Sequence, residues 1–157
     1  MPRPLALAQA PDHRGAKGAT DKVTGLVGDD ELKNTLGRMH EEAAETEKRC
    51  TEVAGKIDGK KTAILDKAGE TKAEAEDMMS TYLGEDADGL DGFEFLTMAE
   101  AGEVGHWTIL GKLNERAGET VISELVEWAL PIQERHFAAV KDGSLKLAGE
   151  EDPAAAS

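Results

Sequence analysis

The chain has 157 residues, with 18 Lys and Arg against 32 Asp and Glu for a net charge of −14, enough for a single core and some tail. No basic stripe is left to neutralise phosphates, which argues against nucleic acid, and the same charge opposes docking on an anionic membrane surface. Aromatics are only 4% of the residues, and Ala, Glu, Lys and Leu recur with five prolines, so the expected fold class is all-α.

No stretch approaches the ~20 apolar residues of a spanning helix. The N-terminus, MPRPLALAQA, partly mimics a signal peptide. Its apolar run falls short of the roughly 7–15 residues of a signal core and Pro4 interrupts it, so secretion is not the expectation. Cys50 is the one cysteine, which leaves no intrachain disulfide and makes a reducing cytoplasm the expected compartment.

In chain order, residues 1–28 hold Pro2, Pro4 and Pro11 with no sustained period and read as an irregular arm, with at most a short apolar contact at Val23–Val27. A first helix is predicted over about Asp29–Ile57, opened by the acidic cap signal Asp29-Asp30-Glu31. Its stripe is Leu32, Leu36, Met39, Ala43, Thr46, Cys50, Val53 and Ile57, the alternation of threes and fours of a helix seam. Cys50 on that stripe reads as a small buried hydrophobe. A second helix, over about Lys61–Leu83, has a weaker seam of small residues, and residues 84–91 read as a Gly/Asp-rich loop.

A third helix is predicted over about Leu90–Ala117 and ended by Gly118. A fourth follows over about Glu119–Lys141, with Pro131 as an interior kink and Asp142-Gly143 as its stop. Residues 29–145 form the expected bundle, antiparallel and of about four helices, and residues 146–157 an acidic flexible tail.

The chemistry-bearing residues lie on the last two stripes. Phe93, Leu96, Glu100, Glu103, Trp107 and Leu110 share one helical face, and Ile122, Leu125, Ala129, Ile132, His136 and Ala139 share the other. Even a neutral polar group buried without a partner costs roughly 2–7 kcal/mol, so inward carboxylates and imidazoles need partners. A bundle-centre metal is one candidate. Glu103 and His106 form a Glu-x-x-His pair whose members are neighbours on a helix, a spacing used in carboxylate metal centres of four-helix bundles. Gln133 stands three residues before His136, where a second such pair would carry Glu. His136 reads equally as a core histidine hydrogen-bonded to Glu103 or Glu100. On the first helix, Glu42 lies at the seam edge between Met39 and Thr46 and can reach inward, while its acidic neighbours form a solvated face.

Three segments carry a family resemblance: ELKNTLGRMHEEAAETEKRC on the first helix, EFLTMAEAGEVGHWTILGKL on the third and LPIQERHFAAV on the fourth. They resemble core helices of the ferritin-like superfamily, with Glu42 and Arg49 matching a Glu–Arg pair seven residues apart. Over about residues 29–150 the chain is similar to small bacterial ferritin-like proteins of unassigned or stress-related function. The resemblance implies a ferritin-like bundle with iron or manganese held by Glu42, Glu100, Glu103, His106 and His136. The pattern is incomplete. Residues 1–28 hold no Glu where a first core helix would supply one, Glu45 stands where the second-helix motif would place His, and Gln133 replaces Glu. That first helix is missing, or Lys61–Leu83 takes its place. The expected function is a non-catalytic scaffold or weak metal binder, with a di-iron or di-manganese redox or metal-handling protein as the alternative. A missing helix would leave the seam of Leu36, Met39, Ala43 and Cys50 open, which predicts a homodimer.

Overall fold

The computed structural model describes residues 20–56 and 83–154. Residues 1–19 of the expected arm and all but Leu83 of the helix expected at Lys61–Leu83 lie outside them. Among the described residues the regular structure is helical throughout, with no strand. Three long helices carry it: α1 (Asp30–Lys56), α2 (Gly89–Ala117) and α3 (Thr120–Glu150). Both α1 and α2 pack on α3, the second more extensively.

The all-α bundle expected from composition is what the chain forms. Cross-helix contacts fix its directions. Thr97 meets Ser144 and Asn114 meets Ser123, so α2 and α3 are an antiparallel hairpin. Lys146 reaches Asp29 and Arg135 reaches Glu42, so α1 also runs antiparallel to α3.

The ends of the helices follow their cap chemistry. Asp29 Oδ1 accepts from the Leu32 amide at 3.1 Å, satisfying one of the amide donors a helix start leaves open. Asp88 and Asp91 exchange side-chain and backbone hydrogen bonds in a capping box at the start of α2, a reciprocal arrangement that satisfies two donors. Gly118 ends α2 in the left-handed region, φ 66°, where glycine carries no Cβ penalty. Across that turn the buried Asn114 side chain donates to Glu119 O at 3.0 Å and Ser123 Oγ at 2.8 Å, and accepts from the Glu119 amide at 3.2 Å.

The α1 seam is buried as the spacing predicts: Leu32, Leu36, Met39, Ala43, Thr46 and Val53 are covered, with Cys50 half-buried. Leu36, Met39 and Ala43 are thus covered within a single copy, which removes the reason for expecting a homodimer through that seam. Residues 20–24 form a helical turn, and Thr20, Val23 and Val27 are buried. This corrects the expectation of an irregular arm up to residue 28. The cause lies on α2, where Gly92 and Gly89 leave room for Val23 and Val27. A Cβ at Gly92 would stand 2.9 Å from Val23 Cγ1, and one at Gly89 3.1 Å from Val27 Cγ1.

α3 departs from its expected course twice. Its stripe is Ile122, Leu125 and Ala129, then Gln133, His136, Val140 and Gly143. The face steps by one residue beside Pro131, so that Gln133 is buried and Ile132 only half-buried. The proline is exposed, which leaves the Glu127 carbonyl it frees on the solvent side, and the helix continues through it. The second departure is at Asp142-Gly143, which does not stop the helix. Gly143 is buried because the Phe93 ring lies directly on its backbone, where a Cβ would overlap the ring. α3 therefore runs to Glu150, and Lys146 bonds Asp29 at 2.7 Å, so residues 146–150 belong to the bundle and not to the tail.

A packing glycine and a dispensable one should respond oppositely to alanine. Gly37 is exposed in α1 with no described atom near a Cβ, so Gly37→Ala should stabilise by up to about 1 kcal/mol through helix propensity. Gly143→Ala should instead destabilise by about 1–3 kcal/mol, because the fully buried Phe93 ring has to move. Urea midpoints of the two variants test this, and a stabilised Gly143→Ala would contradict the packing role.

Candidate functional site

The apolar interior is divided in two. One cluster gathers Val23, Val27, Leu32, Leu36, Met39, Phe93, Leu96 and Val140, and the other gathers Val53, Trp107, Leu110, Ile122, Leu125 and Ala129. Between them, along every helix, the seam positions turn small or polar: Ala43 and Thr46 on α1, Glu100 on α2, Gln133 and His136 on α3. Thr46, Glu100, Gln133 and His136 are each at most 5% exposed. A polar layer therefore crosses the middle of the bundle.

Its members form a chain. The Gln133 side-chain nitrogen donates to Glu100 Oε2. His136 Nδ1 lies 4.0 Å from that same oxygen, and His136 Nε2 lies 3.3 Å from Glu42 Oε1. Glu42 Oε2 accepts from Arg135 at 2.7 Å, and the Thr46 hydroxyl donates to Glu42 O at 2.9 Å. Each of the three helices contributes at least one carboxyl or imidazole.

Burial sets the protonation. Loss of hydration pushes the Glu100 carboxyl up to about 8, so at neutral pH it is mostly a neutral acid. Burial likewise lowers His136 below its ordinary value of 6.5, with Glu42 opposing that shift. The ring is then neutral, and the Glu42 carboxylate can only accept, so Nε2 carries the hydrogen. The Nδ1 lone pair is left facing the protonated acid. Two buried groups that would each be costly to charge are both uncharged, and the charge of Glu42 sits at the rim with Arg135.

Three of the expected site residues, Glu42, Glu100 and His136, are brought together. The other two are not part of this layer. Glu103 is half-buried one turn along α2, and His106 is exposed, which corrects the expectation that the Glu-x-x-His pair faces inward together. The reason is angular: Trp107 takes the buried seam position, and the residue before it turns about 100° away on a helix of 3.6 residues per turn. Glu103 instead lies near Cys50, where its charge and that of Glu47 add to burial in raising the thiol to about 12. A thiol held in that form is a poor nucleophile and a poor metal ligand, consistent with a packing role for Cys50.

Among the described residues, no group of three or more His, Cys, Asp or Glu is placed to hold a metal ion. Gln133 turns its amide nitrogen to Glu100, a donor where a ligand oxygen would be needed. Gln133 points inward although a fixed stripe drawn through Ile132 passes it by. The drift of a 3.6-residue helix against a fixed repeat was the available signal. No helix among the described residues is long and apolar enough to cross a membrane. Comparison with known proteins finds no matching family model, curated protein or solved structure.

The protonated acid makes stability pH-dependent in a definite direction. Glu100 keeps its proton to about pH 8 in the fold but releases it near 4.5 when unfolded. The native state therefore holds the extra proton between those values, and this contribution is complete below pH 4.5 and lost as the pH rises through about 8. The slope is at most about 1.4 kcal/mol per pH unit. His136 works the other way, contributing above its unfolded value of 6.5 and losing that as the pH falls. Glu100→Gln retains the shape and an oxygen acceptor for Gln133 while removing the titration. Its urea midpoint should stay level from neutral pH to about 8.5, where that of the unsubstituted protein declines. Parallel midpoint curves would contradict a buried neutral acid at position 100.

Proposed function

We propose that this chain is a non-catalytic helical scaffold of the ferritin-like type, in which the layer of Glu42, Glu100, Gln133 and His136 holds three helices in register. The observation that carries this reading is the donation from the Gln133 amide to the buried Glu100 carboxyl, which burial pushes up to about 8. It gives the carboxyl a partner within the protein, where a redox metal centre would need that group ionised and directed at an ion. Buried polar groups with partners on several helices also disfavour misaligned packings, since a slip of one helix would leave them unsatisfied.

A second reading, weak binding of one ferrous or manganous ion, draws on a separate observation. The neutral His136 ring stands between Glu42 and Glu100, and a neutral imidazole beside carboxyl groups is a competent partial ligand set.

Thermal unfolding with and without added ferrous or manganous ion separates the two. An ion that binds only the folded state stabilises by RT ln(1 + [L]/Kd), about 2.7 kcal/mol at a hundredfold excess over Kd. The scaffold reading predicts no metal-dependent rise in melting temperature. It also predicts that His136→Ala lowers the melting temperature equally in both conditions, by removing a core contact. A rise of several degrees that His136→Ala abolishes would establish the metal reading. Oxygen consumption with iron would overturn the scaffold reading.

A further inference from the structure

Among the described residues, the large hydrophobic side chains left exposed are Met98, Ile109 and Leu113 on α2 and Leu145 on α3. The three on α2 lie on its outer side. At 100° per residue, positions 94, 98, 101, 105, 109, 112 and 116 fall within about 40° of one line along the helix. They are Glu94, Met98, Ala101, Gly105, Ile109, Lys112 and Arg116, with Gly102 and Leu113 beside them. All of these are exposed except Gly105, which is half-buried. Among the described residues, a Cβ at Gly102 or Gly105 would meet nothing within 4 Å, so the backbone there can be approached closely.

We propose that this outer stripe of α2 is a two-fold interface through which a second copy of the chain packs, its α2 antiparallel to the first and crossing at Gly105. The order of residue types along the stripe selects that occupant. It is acidic at the N-terminal end (Glu94), apolar and small in the middle, and basic at the C-terminal end, where Arg116 follows Lys112, itself paired with Glu115 at 2.8 Å. A two-fold axis at Gly105 sets residue i against residue 210 − i of the other copy. Glu94 then faces Arg116, Ala101 faces Ile109, Met98 lies under the aliphatic stem of Lys112, and the two glycines meet at the centre. Such a surface is self-complementary, as an isologous interface requires. A parallel alignment would instead set like charge against like at both ends, which is unfavourable. Neither Glu94 nor Arg116 makes an ion pair within the described residues, so the pairing displaces no such contact. One helix face is small beside the roughly 1,600 Å² of a standard interface, which makes the association a weak one that dissociates on dilution.

The proposal names a partner for the scaffold reading but rests on different residues, so either can fail alone. Sedimentation equilibrium of the full chain, from low micromolar to near-millimolar concentration, should show a reversible monomer–dimer equilibrium. Ile109→Glu should shift it to monomer while leaving the helical circular dichroism unchanged, since that side chain is exposed. Glu94→Arg and Arg116→Glu should each weaken association at least about tenfold, and the double variant should restore it, because the swapped charges again meet across the axis. A monomer at every concentration would overturn the proposal. So would a dimer indifferent to Ile109→Glu, or a double variant no tighter than the singles, which would refute the antiparallel register.

Discussion

A carboxyl group that stays neutral at physiological pH is the constraint on which the rest of this bundle depends. Glu100 lies at the middle of α2 with 2% of its surface exposed. Ionised there, it would lose its hydration with no Lys or Arg among the described residues paired to it, a cost of several kcal/mol. Protonation and the Gln133 amide avoid that cost. The neutral His136 ring continues the layer to α1, where the charge of Glu42 is met at the protein's edge by Arg135. The apolar clusters on either side supply most of the burial energy, at about 1.5–3 kcal/mol for each fully buried Leu, Ile or Phe. Apolar contacts are non-directional, whereas the contacts of the polar layer depend on how the three helices are aligned.

The sequence made the helices legible wherever a local rule governed them. The α1 seam could be read because its threes and fours persist for more than three heptads, and the ends at Asp29 and Gly118 because cap chemistry is local. Where tertiary contact overrides a local rule, the same reading failed. Gly143 looked like a helix stop, yet it is the place where the Phe93 ring meets α3. Val23 and Val27 looked too few to belong to the core, because the glycines that receive them lie some 65 residues onward at Gly89 and Gly92. Of the candidate site, Glu100 and His136 are buried as their stripes indicate, and Glu42 lies half-buried at the rim beside them. His106 is exposed; three-residue spacing places two side chains near each other without saying which faces the core. Gln133 was noticed for what it replaced rather than for where it points.

On the proposed reading the polar interior serves alignment and the outer stripe of α2 serves contact. Within the interior layer Gln133 donates to Glu100, Thr46 bonds the carbonyl of Glu42 on its own helix, and Arg135 meets Glu42 at the rim. The outer stripe of α2 is open and presents apolar side chains between ends of opposite charge. The strongly acidic remainder of the surface opposes nonspecific association, so contact through the stripe is left to complementary charge and shape.

The most direct test of this account is a carbon-13 NMR titration of the Glu100 side-chain carboxyl in the folded, metal-free protein. The account predicts a midpoint near 8, with the acid form dominant at neutral pH. A midpoint close to the ordinary 4.5 would mean an ionised carboxylate at the centre of the bundle. The layer would then require a cation, and the purely structural reading of it would be wrong.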